Sequence, residues 1–116
     1  MARKPFVLFV CSRNSARSQM AEGLLRHLAG DVFDVGSAGI EPGTLNPFAV
    51  EALGEIGIDI SKHEAKGIRE YLGRVLVDHL IIVCDAAAHA CPAVWPNMRE
   101  RHNWPVPDPA AIEGTD

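Results

Sequence analysis

Apolar positions along the chain fall into two kinds of run. "PFVLFVC" (5–11) is continuous and carries β-branched residues, the pattern of a strand covered on both faces. "HLIIVCD" (79–85) repeats that pattern. "VFDVGSAG" (32–39) reads as a strand ending in a turn, and a further strand is expected near "RHNWPVP" (101–107). Between the strands the period changes. Met20, Leu24 and Leu28 recur every four residues with Ala21 and Leu25 beside them, one helical face stopped by Gly30. "NPFAVEALGEIG" (46–57) has Asn46 as N-cap, Pro47 at the first helical position and Gly57 as stop. A shorter helix is expected over 64–72. Strands alternating with helices predict an α/β domain of three layers, α/β/α, with a parallel sheet between helices. A helix is expected after the last strand, yet "DPAAIEGTD" ends at Asp116. Either that helix has been removed or another chain supplies the cover, because a bare face would expose an apolar patch.

Composition narrows the class. The 116 residues suit one domain, 1–116, and 47% apolar with 22% charged residues is ordinary for a soluble globular protein. A net charge of −4 suggests neither nucleic acid nor a membrane surface as partner. The apolar run ending at Cys11 is too short for a membrane span, and Arg13 stands where a signal peptide would be cleaved. A cytoplasmic protein is expected. Three cysteines, Cys11, Cys84 and Cys91, fit no paired disulfide framework. In a reducing compartment they are free thiols, metal ligands or redox groups.

The chemistry concentrates in "VCSRNSARSQMAEG" (10–23), where Cys11 and Arg17 have the spacing C-x5-R and Ser18 follows at once. A loop leaving a parallel strand and entering a helix turns backbone N–H groups inward and, with the helix dipole, forms an anion site. The thiolate is the nucleophilic form of cysteine, and such a site is suited to hold it. Arg17 can grip a tetrahedral oxyanion through two parallel hydrogen bonds. Ser18 can donate to the thiolate and Asn14 can brace the loop. These residue types suit a nucleophile attacking a bound oxyanion. The bland alternative is an inert buried cysteine beside a surface arginine.

"FVCSRNSARSQMAEG" resembles the phosphate loop of the low-molecular-weight protein tyrosine phosphatase superfamily. The likeness continues through "VGSAGIEP", "NPFAVEALGEIGIDIS", "IIVCDAAAHACP" and "PVPDPA", covering nearly the whole chain. Within that superfamily the chain is most similar to the thioredoxin-coupled arsenate reductases. The resemblance implies a four-stranded parallel sheet, a Cys11 nucleophile and a general acid at Asp108. It also implies oxyanion binding by Arg17 and the loop amides of Ser12, Arg13, Asn14, Ser15 and Ala16.

Two activities share that loop. A phosphatase needs only Cys11, Arg17 and Asp108 to hydrolyse a phosphate monoester through phosphocysteine. A reductase must also supply two electrons, and thiols are the only redox groups in the sequence. If the strands ending near Cys11 and Cys84 are neighbours, as the family implies, they lie about 4.8 Å apart, near the separation a disulfide needs. Cys84 and Cys91 flank the alanine-rich "DAAAHA". Held helical, that segment would separate them by about 10.5 Å, so it is expected to unwind when they pair. The relay implied is Cys11 attack on arsenate, then a Cys11–Cys84 disulfide, then a Cys84–Cys91 disulfide passed to thioredoxin or a low-molecular-weight thiol. Ala110 stands where phosphatases commonly carry an aromatic residue, which favours reductase. Taken singly, Cys84 reads as a small core hydrophobe and Cys91 as a loop thiol.

No metal and no cofactor are expected. Cys84, His89, Cys91 and His102 form no usual zinc spacing, and His27, His63 and His79 are placed on surfaces or element ends. A non-catalytic oxyanion-binding module would require an inert Cys11. Two positions depart from the family loop. Arg13 replaces a frequent glycine, so its side chain must point outward or tolerate the backbone angle. Ala16 stands where several reductases have a cysteine. Some relatives bind potassium beside the loop; the matching residues are Asn14, Glu22, Ser37 and Lys66, and a lysine ammonium there removes the need for the cation.

Overall fold

The computed structural model describes residues 4–14, 16–41, 43–83 and 97–104. In chain order the elements are β1 (Phe6–Cys11), α1 (Arg17–Ala29), β2 (Asp34–Gly39), α2 (Pro47–Gly54), a 3-10 turn (Ile68–Glu70), β3 (Val77–Ile82) and β4 (Met98–Asn103). The four strands form one parallel sheet in the order β2-β1-β3-β4. β1 and β3 are therefore neighbours, with Val10 opposite Ile82. No helix among the described residues is long and apolar enough to cross a membrane.

The continuous apolar runs are central strands, as their patterning requires. Leu8, Val10, Leu80 and Ile82 point to one face and are fully buried. The described cover of that face includes Ile68, Tyr71 and Leu72, with the Tyr71 ring 5.7 Å from that of Phe6. The helix expected over 64–72 is thus a 3-10 turn. The opposite face carries α1 through Ala21 and Leu25, with α2 beside α1. Beyond α1 the described residues leave an apolar groove of about 360 Å³ on this face, walled by Val7, Phe9, Phe33, Ile81 and Trp104.

Helix α2 starts as expected: the Asn46 side chain accepts from the Phe48 N–H at 2.8 Å and Pro47 follows. It ends at Gly54, and Gly57 takes a left-handed φ of +85° in the turn beyond. Helix α1 keeps its expected apolar face except at Leu28. Met20 and Leu24 pack towards α2, and Leu28 is 76% exposed. The most buried positions are Ser18, Gln19, Glu22 and Gly23. A Cβ on Gly23 would lie 2.8 Å from Ile60 Cγ2, so the close approach of α1 to the α2 layer requires glycine. The polar stripe is buried because it holds the loop described next.

Candidate functional site

Five residues turn the chain from the end of β1 at Cys11 to the start of α1 at Arg17. Cys11 is buried, its Sγ 2.9 Å from Ser18 Oγ, and the Asn14 N–H donates to the same sulfur at 3.1 Å. That N–H returns to the sulfur because Asn14 adopts φ +54°, a left-handed conformation that asparagine tolerates better than most residues. The carbonyls of Cys11, Ser12 and Arg13 accept from the N–H groups of Ile40, Glu41 and Gly43 at 3.2, 2.9 and 2.9 Å. The Asn14 N–H faces the other way, to the sulfur.

Gly39 makes this strap possible, since a Cβ there would lie 2.7 Å from Arg13 C and Asn14 N. Arg13 does not need the left-handed region. It points outward, exposed, with its guanidinium against Gly43. Arg17 opens α1 and is half-buried, as is Ser12. The N-cap is Ala16, which has no side-chain oxygen and so provides no side-chain cap of its own.

A directed chain of hydrogen bonds ends on the sulfur. Asn14 Oδ1 accepts from Gln19 Nε2 at 3.0 Å and from the Lys66 N–H at 2.7 Å. Two donors on that oxygen fix the amide's orientation, so Nδ2 is the atom that donates to Ser18 Oγ at 2.7 Å. With its oxygen accepting, Ser18 has its hydrogen available for Cys11 Sγ. Asn14, Ser18 and Gln19 are all fully buried, so each partner matters.

Gln19 also donates to the Glu64 carbonyl at 2.9 Å, and its Oε1 lies 3.0 Å from His63 Nδ1. Burial lowers the His63 pKa first of all; Arg26 and Lys66 push the same way, while Glu22 opposes. A neutral ring with its proton on Nδ1 serves both neighbours. It donates to Gln19, and Nε2 accepts from Arg26 Nη1 at 3.4 Å.

A second node stands behind the first. Glu22, buried, accepts from Ser37 Oγ through one oxygen and from Arg26 Nη2 at 2.5 Å through the other. Lys66 Nζ lies 3.9 Å from Glu22 Oε1, so the lysine ammonium faces the carboxylate, the placement expected of it in the absence of potassium.

Cys11, Ser12, Arg13, Asn14, Ala16, Arg17 and Ser18 thus stand on one strand–loop–helix unit. Ser15, Cys84, His89, Cys91 and Asp108 lie outside the described residues. Gln19 and His63 were not anticipated as part of the site. The one local cue for Gln19 is its position next to Ser18 in the first turn of α1; nothing in the sequence pairs His63 with it across 44 residues.

The low-molecular-weight phosphotyrosine protein phosphatase profile matches residues 6–115. Curated relatives include an arsenate reductase of Halalkalibacterium halodurans, 47% identical over 97% of this chain and 80% of its own length. One of Bacillus subtilis is 42% identical over 95% of this chain and 78% of its own. Among solved structures, an arsenate reductase in a phosphate-binding state superposes with a TM-score of 0.81 at 34% identity, covering 91% of this chain and 79% of that one. A thioredoxin-dependent arsenate reductase of Corynebacterium glutamicum superposes at 0.69 with 33% identity, over 90% of this chain and 51% of its own. The sulfur cradle, the sheet order and these likenesses agree: the chain belongs to the low-molecular-weight phosphotyrosine protein phosphatase family.

Proposed function

We propose that this protein reduces arsenate to arsenite through a relay of its three cysteines. The observation that carries the reading is the sulfur of Cys11 receiving the Asn14 N–H and facing the Ser18 hydroxyl, at the mouth of helix α1. These contacts aim the sulfur for attack, and the loop amides with Arg17 receive the oxyanion. Cys11 attacks arsenic while Asp108 protonates the departing oxygen. Cys84 then attacks Cys11 Sγ; the sulfur–arsenic electron pair leaves with arsenic as arsenite, and a Cys11–Cys84 disulfide remains. Cys91 attacks Cys84, releasing Cys11, and the Cys84–Cys91 disulfide passes to thioredoxin.

The sheet order supports the second step. The Val83 N–H bonds the Val10 carbonyl at 2.9 Å, so the chain leaves β3 beside the end of β1. The relatives named arsenate reductase support the substrate. A relay of free thiols suits a reducing cytoplasm.

The test is arsenate-dependent NADPH oxidation with thioredoxin and thioredoxin reductase. Turnover is expected in the wild type and is lost in Cys11→Ser and Cys91→Ser. Cys11-dependent hydrolysis of p-nitrophenyl phosphate without arsenate turnover, unchanged by Cys91→Ser, would assign the protein to phosphate-ester hydrolysis instead.

A further inference from the structure

The flank of the sheet away from α1 carries a second cluster of chemistry-bearing side chains. His79 on β3 stands opposite Glu100 on β4, and His102 lies two residues further along β4. All three point to the sheet face that holds the apolar groove. His79 Nδ1 is 3.3 Å from His102 Nε2, and Glu100 Oε1 is 3.7 Å from that same nitrogen. One donor atom from each residue lies within 4.8 Å of the other two.

We propose that His79, Glu100 and His102 form a binding site for a divalent transition-metal ion of the zinc type. Two imidazole nitrogens on a tetrahedral zinc, each about 2.0–2.1 Å from the ion, stand about 3.3 Å apart, the separation found here. The donor set of two imidazoles and a carboxylate is that of zinc sites with three protein ligands and an open position. Both histidines come from hydrogen-bonded strands in fixed register, which holds them in place before any ion arrives. Glu100 is 63% exposed and free to swing inward by the small distance still required.

The site stands apart from Cys11. His79 lies four residues down β3 from the level of Cys11, about 13 Å at the rise of a strand. An ion there would tie the β4 strand to β3. The rival account of the same geometry is a hydrogen bond between two neutral imidazoles with no affinity for metal.

Metal-stripped full-length protein titrated with Co²⁺ distinguishes the two. Expected are visible d–d bands saturating at one ion per chain, without an intense near-ultraviolet thiolate band, and displaced by Zn²⁺. His79→Asn and His102→Gln each remove them, and Glu100→Gln weakens binding at least about tenfold. Circular dichroism of each variant confirms that it is folded. In a Trp95→Phe background, Cu²⁺ should quench Trp104, whose ring lies 6.0 Å from that of His102. No cobalt spectrum at millimolar ion overturns the proposal, as does a thiolate-type spectrum that persists in His79→Asn.

Discussion

The two ends of this small sheet treat polar side chains in opposite ways. Around Cys11, the side chains of Asn14, Ser18 and Gln19 are completely buried, and each hydrogen bond orients the next until the last meets the sulfur. On the β3–β4 flank, His79, Glu100 and His102 stand half-buried or exposed beside an open apolar groove. The first arrangement leaves each group little choice of partner, which suits a site that must hold a reactive sulfur ready. The second fixes its two histidines by strand register and leaves Glu100 exposed and free to move.

The largest expected effect is chemical. Cys11→Ser should remove all arsenate turnover above background while leaving the urea midpoint nearly unchanged, because the hydroxyl replaces the thiol at similar volume.

Next is a paired comparison of the two ends. Asn14→Ala strands the Gln19 donor and the Lys66 N–H and places alanine in a left-handed conformation, at a cost of about 2–4 kcal/mol in urea titrations. Glu100→Ala, at an exposed position, should change stability by about 0.5 kcal/mol or less. Equal losses in the two variants would remove the contrast.

Gly39→Ala tests the strap. Its Cβ would meet backbone rather than a flexible side chain, so a loss of about 1–3 kcal/mol and slower alkylation of Cys11 by iodoacetamide are expected. The Lys66 ammonium facing Glu22 sharpens the electrostatic side. Activity in potassium sulfate should equal that in sodium sulfate, and activity that rises with potassium would show that lysine does not replace the cation.

The smallest effect is a pH dependence. Because the folded state lowers the His63 pKa below 6.5, the unfolded chain binds more protons in the interval between the two values. The stability linked to neutral His63 is therefore complete above pH 6.5 and is lost as pH falls through the folded value. Urea midpoints at pH 5 and pH 8 should differ more in the wild type than in His63→Gln.

Much of this arrangement was legible in the linear chain. Continuous apolar runs marked β1 and β3, the Asn46–Pro47 pair marked the start of α2, and C-x5-R with Ser18 marked the loop, because each signal lies within a few residues. The helix expected over 64–72 shrank to a 3-10 turn, and Leu28 faces solvent although it shares the spacing of Met20 and Leu24. In α1 the buried stripe is polar. Four of the five positions in the apolar period of α1 do pack, Met20, Ala21, Leu24 and Leu25, but the period did not find the polar residues buried beside them, because hydrogen bonds leave no trace in an apolar period.

Local order was thus determined by the sequence alone: which segments are the central strands, where α2 begins, and which loop joins β1 to α1 around Cys11. Tertiary structure decided which distant groups meet. Gln19 and His63, Lys66 and Glu22, and His79 and His102 are brought together only when strands register and α1 settles on the sheet. Backbone propensity and periodicity act over a few residues, whereas these contacts depend on how whole layers pack.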